Sequence, residues 1–246
     1  MAGLVYSKTE RLDKPGMKID PSIPIHVKGK EIPYVSRGGL KLEKALKYFD
    51  LDVKEKVLID IGASTGGFTD CALQNGVTLS YAIDVGYNQL DWKLRNDDRV
   101  IVMEKTNFRY VTPDMLTKDR PNLATIDVSF ISLKLILPVL KNLLKPKSDI
   151  IMLIKPQFEA GREQVGKKGI VRHKRIHKEV LKNVLTFSMD EKYDIFNLTY
   201  SPITGGEGNI EFLAHLGWEQ NRKDKIEKIE DIIHTVVEEA HETLLK

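Results

Sequence analysis

At 246 residues with 41% hydrophobic side chains, the chain has the apolar material for one large α/β domain plus a small appendage, which excludes a disordered polymer. A single cysteine, Cys71, excludes an internal disulfide, and neither an 18-residue apolar run nor a signal-peptide core is present, so a soluble cytoplasmic protein is expected. The net charge of +3 is unevenly spread: residues 141–182 carry 12 basic and 4 acidic groups, and residues 183–246 carry 6 and 13. The basic stretch suits an anionic polymer such as nucleic acid, and a solvated lysine-rich face accounts for it equally well.

Residues 1–35 read as short β pieces, LDKPGMKI and IPIHVKGKEIPYV, with turn signals at Lys14-Pro15-Gly16 and Lys28-Gly29-Lys30. They hold too few apolar residues to fold alone. From Ser36, a candidate cap, the period becomes helical, with Leu42, Ala45, Leu46 and Phe49 on one face and Lys41 at its border. Strands and helices then alternate. VLIDIG (57–62), LSYAIDVG (79–86), VIVME (100–104), LATIDVS (123–129) and DIIMLIK (149–155) are strands. GGFTDCALQNG is a helix stopped at Gly76, and ISLKLILPVLKNLL is a helix that Pro138 bends or restarts. This alternation predicts βαβ units and a mostly parallel sheet. DIFNLTYSPI (194–203) and NIEFLAHL (209–216), joined through GGEG, predict an antiparallel hairpin at its end. The tail 221–245 places Ile226, Ile229, Ile232, Ile233, Val236, Val237 and Ala240 on one face of an acidic packing helix.

DIGASTGGF (60–68) follows a strand and opens a helix, where main-chain N–H groups and the helix dipole favour negative charge. Gly62 permits a tight turn, and Gly66 with Gly67 lets backbone approach a ligand. The spacing differs from the dinucleotide pattern G-x-G-x-x-G. Asp84, at the end of the next strand, sits where an acid commonly meets ribose hydroxyls. Turn and acid together predict an adenosine-containing cofactor with a carboxylate or phosphate at the turn.

Two other patterns mislead. GREQVGKK (161–168) resembles a phosphate-binding loop, but Lys168 stands where the Mg²⁺-ligating hydroxyl belongs, so the segment reads as a basic loop. His173 and His177 are four apart on a helix, but basic neighbours and the lack of a third ligand favour a solvated basic helix over a metal site.

Four polar residues remain. Asp127 and Lys155 end adjacent strands at the carboxyl edge, where ligands bind in open α/β sheets. Glu211 lies early in NIEFLAHL, and Lys41 on the helix leading into the domain. Two lysines and two carboxylates form a near-neutral cluster that tolerates partial burial when mutually paired.

YVSRGGLKLEKAL, DIGASTGGFTD, TIDVSFIS, LIKPQFEAG and GNIEFLAHL, in this order between about Tyr34 and Trp218, resemble the TlyA family of ribosomal RNA 2′-O-methyltransferases, once labelled hemolysins. The resemblance implies a class I S-adenosylmethionine-dependent methyltransferase, a Rossmann-like α/β fold with an RrmJ/FtsJ-type catalytic domain over 36–246 and helices on both sheet faces. It implies a catalytic tetrad of Lys41, Asp127, Lys155 and Glu211. It also implies S-adenosyl-L-methionine held by Asp60, Gly62, Ser64, Gly66, Gly67 and Phe68 at the methionine end, by Asp84 and Val85 at the ribose, and by Asn107 and Phe108 at the adenine. Residues 1–35 resemble the tail of the family's S4-type RNA-binding domain with a linker; its leading helices are absent.

On this reading Lys155 is the general base, Asp127 orients it, and Lys41 with Glu211 positions the ribose. Burial, a second ammonium and a sulfonium push a lysine down from its usual pKa of about 10.4, while carboxylates oppose that shift. Arg37, Arg162, Lys167, Lys168 and Arg172 are expected to contact ribosomal RNA, within a phosphate path along 162–182. Three rival readings have sequence tests. A non-catalytic RNA-binding or ribosome-associated protein has no need of the cofactor turn. A hemolysin-type membrane-active protein needs a spanning or basic amphipathic segment, which the sequence lacks. A nicotinamide-dependent oxidoreductase needs the dinucleotide glycine spacing.

Overall fold

The computed structural model describes residues 5–8, 10–12, 18–27, 32–220 and 222–245; the turn signals at 14–16 and 28–30 lie outside the described residues. The chain divides into two compact units, Met1–Pro33 and Tyr34–Lys246. In the first, β1 (Val5–Ser7) pairs antiparallel with β2 (Glu10–Arg11) on one side and β3 (Ile25–Val27) on the other. Tyr6 and His26 are directly opposite in this register, and their rings stack at 6.2 Å.

The second unit begins with α1 (Gly38–Tyr48), β4 (Val57–Ile61), α2 (Gly67–Gln74), β5 (Leu79–Ile83), α3 (Trp92–Arg95) and β6 (Val100–Met103). It continues with β7 (Leu123–Ile126), α4 (Leu137–Leu140), β8 (Ser148–Ile154), α5 (Pro156–Glu159) and α6 (Lys174–Asp190), then β9 (Tyr193–Tyr200), β10 (Phe212–Trp218) and α7 (Ile229–Leu244). The strands form one seven-stranded sheet in the order β6-β5-β4-β7-β8-β10-β9. The five from β6 to β8 are parallel, and β10 runs antiparallel to both β8 and β9.

Strands β4, β5, β7 and β8 are buried along their whole length, which is why their sequences are continuous apolar runs. Successive side chains still separate to opposite faces. Ile59, Ile61, Met152 and Ile154 pack with α4, α6 and α7, while Leu58, Ile151 and Leu153 pack with α1 and α2. Chain order reverses between β4 and β7, so a crevice opens at the carboxyl ends of those two strands.

Several local expectations need correction. Ser36 does not cap α1: the helix starts at Gly38 after Arg37, with no side-chain cap, and the Ser36 hydroxyl lies against Gly67 instead. Of the two outcomes expected at Pro138, the restart is the one observed, with a 3₁₀ turn at Leu133–Leu135 before α4. Glu211 precedes β10 rather than lying within it. The pair His173 and His177 is not a solvated face: His177 is wholly buried on α6, while His173 stands exposed just before the helix. His177 meets His241 of α7 at 2.9 Å and the carbonyl of Val171 at 3.2 Å. Its periodic position faced the core all along.

Candidate active site

The turn after β4 is shaped by what its glycines leave out. Gly62 has φ +84°, and a Cβ there would lie 2.4 Å from the carbonyl oxygen of Asp127. Gly66, at φ +94° before α2, would collide with Leu94 at 2.2 Å. Both need a conformation that side chains resist and a space that only hydrogen fills. Asp84, just past β5, accepts the N–H of Ser64 at 2.8 Å through Oδ2 and that of Gly86 at 2.7 Å through Oδ1. These bonds fix the carboxylate beside the turn and leave acceptor capacity on each oxygen. Ser64 and Val85 are exposed there, and Asn107 caps the short turn that begins at Phe108.

Three residues assigned to the cofactor lie beneath this surface. Phe68 and Phe108 are buried in the cores on opposite sheet faces. Asp60 is fully buried, with Oδ1 accepting from the Thr125 hydroxyl and Oδ2 from the N–H and hydroxyl of Thr69. Burial pushes its carboxyl up to about 6, against these three donors. Asp60 therefore ties β4 to β7 and to α2, setting the turn from below.

The other four predicted residues do converge. Lys155, directly after β8, places Nζ 2.5 Å from Asp127 Oδ1, directly after β7. Lys41, in the first turn of α1, places Nζ 2.7 Å from Glu211 Oε2 and 3.8 Å from Asp127 Oδ2. Asp127 thus bridges two amines, and the order is Lys155–Asp127–Lys41–Glu211. Glu211 is 2% exposed. Its Oε1 occupies the space a Cβ on Gly205 would need, at 2.1 Å, so the GGEG turn is glycine-rich partly to admit this carboxylate.

Five neighbours went unnoticed in the sequence. Ser129 accepts a hydrogen bond from Lys155 at 3.0 Å. Phe130 is 90% exposed, has φ +62° and lies 4.8 Å from the ring of Phe158. Gln157 donates to Glu211 Oε1 at 3.4 Å, and Glu159 reaches back toward Ser132. All five sit within the segments TIDVSFIS and LIKPQFEAG, so adjacency to Asp127 and Lys155 was the available signal.

Part of the basic stretch is paired with acidic groups. Lys174 and Lys178 both pair with Glu238, Lys182 with Glu230, and Lys141 with Glu191. The lysines of α6 thus pair with the acidic α7, while Arg175 on the same helix is exposed with no ion pair among the described residues. Arg37, Arg162, Lys167, Lys168 and Arg172 are exposed and have no ion pair among the described residues.

The sheet order, the reversed final hairpin and the glycine-lined turn at the switch point define a class I methyltransferase. The FtsJ-like methyltransferase family model matches residues 34–218, and the chain belongs to that family. It is 65% identical over 244 residues to a Bacillus subtilis (strain 168) protein provisionally named rRNA methyltransferase YqxC, covering 99% of this chain and 87% of that one. It is 39% identical over 210 residues to the 16S/23S rRNA (cytidine-2′-O)-methyltransferase TlyA of Mycobacterium tuberculosis (strain CDC 1551 / Oshkosh), covering 85% and 78%. A solved structure of a provisionally named hemolysin from Streptococcus thermophilus superposes with a TM-score of 0.85 at 54% identity, covering 99% of this chain and 88% of that one. A protein from Listeria monocytogenes provisionally named an S-adenosylmethionine-dependent methyltransferase shares the fold at a TM-score of 0.56 and 15% identity, over 75% of this chain and 99% of that one. Among the described residues no helix is long and apolar enough to cross a membrane.

Proposed function

We propose that the chain transfers a methyl group from S-adenosylmethionine to a ribose 2′-hydroxyl of ribosomal RNA, with cytidine the favoured nucleotide. One observation carries the reading: Gly62 packs against the carbonyl of Asp127, so the cofactor turn and the lysine–carboxylate cluster share a wall of one crevice. The cofactor fits the residues present. Gly62, Gly66 and Gly67 let the turn pack closely on Asp127, Leu94 and Ser36, with Ser64 exposed on it; Asp84 has acceptors for ribose hydroxyls with the exposed Val85 beside it, and Asn107 lies on the adenine side. When bound, S-adenosylmethionine supplies an electrophilic methyl group on a positively charged sulfur.

A ribose hydroxyl is a weak nucleophile until its proton is taken. A neutral lysine amine has two N–H bonds and one lone pair. Asp127 and Ser129 accept the two N–H groups of Lys155, which leaves its lone pair for the incoming hydroxyl. Lys41, held by Glu211 and Asp127, is placed to donate to a substrate oxygen. Alignment of the hydroxyl by this frame supplies much of the acceleration. The exposed face of Phe130 offers a base a stacking surface, and its positive φ is the local strain that functional loops carry.

The unpaired cations Arg37, Arg162, Lys167, Lys168 and Arg172 supply the phosphate contacts. Residues 1–35 are read as part of an S4-type RNA-binding module with its linker and residues 36–246 as the catalytic domain, a reading supported by the division of the chain after Pro33. Such a substrate places the work in the cytoplasm. The test is transfer of tritiated methyl groups onto undermodified ribosomal subunits, followed by mapping of ribose methylation. Incorporation at a cytidine 2′-oxygen is expected; methylation of bases alone, or none with cofactor bound, overturns the reading.

A further inference from the structure

The stretch 155–159 is short, yet its polar and aromatic side chains reach four separate parts of the site. Lys155 meets Asp127 and Ser129, Gln157 meets Glu211, and Phe158 meets Phe130. Glu159 turns the other way. Its Oε2 accepts from the Ser132 hydroxyl at 2.7 Å, and its Oε1 from the Leu133 N–H at 2.7 Å. Leu133 begins the 3₁₀ turn that closes the loop after β7. That loop carries Asp127, Ser129 and Phe130.

The loop has little else to hold it. Asp127 N–H still donates to Ile61 at 2.9 Å, but among the described residues no backbone–backbone hydrogen bond involves residues 128–131. Val128 and Ile131 pack against the core, while Ser129 and Phe130 project outward, the latter with a backbone conformation unfavourable to any side chain. Glue at the far end is therefore concentrated in one carboxylate. Both its oxygens are used, each by a donor at a short distance, and the residue lies half-buried.

We propose that Glu159 is a positioning residue for methyl transfer, latching the 127–133 loop to the turn that carries Lys155. Through it the base, the carboxylate that orients the base and the exposed Phe130 are fixed on one frame. The inference rests on the reading of Lys155 as general base. Its consequence is specific: reach matters, and charge does not. Glutamine keeps the reach, since its carbonyl oxygen accepts the Leu133 N–H and its amide donates to Ser132. Aspartate keeps the charge and falls one methylene short.

The experiment compares wild type with Glu159→Gln, Glu159→Asp and Glu159→Ala in methyl transfer to undermodified ribosomal subunits, with cofactor affinity by calorimetry and Tm measured alongside. Glu159→Asp and Glu159→Ala are expected to lose at least about tenfold in kcat with cofactor affinity within about twofold, as a misplaced catalytic frame requires. Glu159→Gln is expected to stay within about threefold of wild type. Hydrogen exchange at the Leu133 amide should quicken in the Asp and Ala variants and stay protected in the Gln variant. A fully active Glu159→Asp or Glu159→Ala overturns the latch, as does an inactive Glu159→Gln that still binds cofactor. If Glu159→Ala fails to fold, the Gln and Asp pair decides. A wild-type chain that transfers no methyl group overturns the underlying reading and this role together, whereas an active wild type with a fully active Asp variant overturns the latch alone.

Discussion

Replacing Lys41 with methionine keeps the apolar stem of the side chain and removes its ammonium group. The loss falls on Glu211, which is 2% exposed and whose Oε2 has Lys41 at 2.7 Å as its strong partner. Its Oε1, wedged against Gly205, has among the described residues only Gln157 at 3.4 Å. Removing one side of a buried ion pair costs about 3–5 kcal/mol, because the other charge is stranded away from water. For a chain of this length each kcal/mol shifts Tm by about 2–4 °C, so a fall on the order of 10 °C is expected. Changing Glu211 to glutamine as well removes the stranded charge. The double variant Lys41→Met/Glu211→Gln should therefore recover at least half of the lost stability, while methyl transfer stays absent in both. Thermal and urea melts of the two singles and the double give the coupling energy, expected at about 2 kcal/mol or more. Additive losses, with coupling under about 0.5 kcal/mol, would show that the two groups do not depend on each other and would refute the argument.

Lys155→Arg should keep the charge next to Asp127 and abolish methyl transfer while leaving cofactor binding intact, because a guanidinium does not give up its proton; a single-turnover assay showing substantial transfer removes Lys155 as the base. Neutralising Lys167 and Lys168 together should weaken RNA binding and lower the slope of log affinity against log salt by about 1.5–2, measured by filter binding at several ionic strengths, and an unchanged slope denies them phosphate contacts. Acid should act on His177, whose burial holds it at about 4, below the ordinary histidine value: the unfolded chain takes the proton first, so this contribution is complete above pH 6.5 and is lost as pH falls toward 4, by about 2 kcal/mol at pH 5. Asp60, raised to about 6 by burial, works in the opposite sense and gains as pH falls through 6, so the comparison to make is the urea midpoint of His177→Gln against wild type at pH 7.5 and pH 5.0. The variant should lose less stability on acidification, and parallel losses would contradict the buried, neutral histidine.

Much of the fold was legible because parallel strands buried on both faces leave unbroken apolar runs, and right-handed crossovers restrict where those runs lie. Asp127 and Lys155 could be placed side by side on that basis alone, since each directly follows such a run. What stayed hidden depends on distance along the chain. Lys178 and Glu238 are 60 residues apart, and nothing in the basic segment announces that α7 will cover it. Asp60 carried the same signal as a ligand-binding acid. Only the threonines at 69 and 125, brought together by two different elements, show that both of its oxygens are used. The backbone strain at Phe130 had no signal, because a positive φ at an aromatic residue is imposed by the loop around it and not by its own preference.

The pairing between α6 and α7 changes where an RNA field can arise. With the lysines of α6 neutralised, the unpaired charge between residues 160 and 173 sits in the loop before that helix, on Arg162, Lys167, Lys168 and Arg172. That loop is a built structure. Gly166 N–H donates to Ile170 at 2.9 Å, and Asn209 receives the N–H of Val171 at 3.0 Å while donating to the carbonyl of Gly169 at 2.9 Å. Asn209 is two residues before Glu211, so a side chain next to the buried carboxylate of the cluster holds the basic loop. His177 meets the carbonyl of the same Val171. On the proposed reading, phosphate contacts made by the loop are tied through Asn209 to the residue that holds Lys41. A ribose gripped through its neighbouring phosphates would reach Lys155 in a geometry set by these bonds, which is how a site with modest chemistry gains rate from placement.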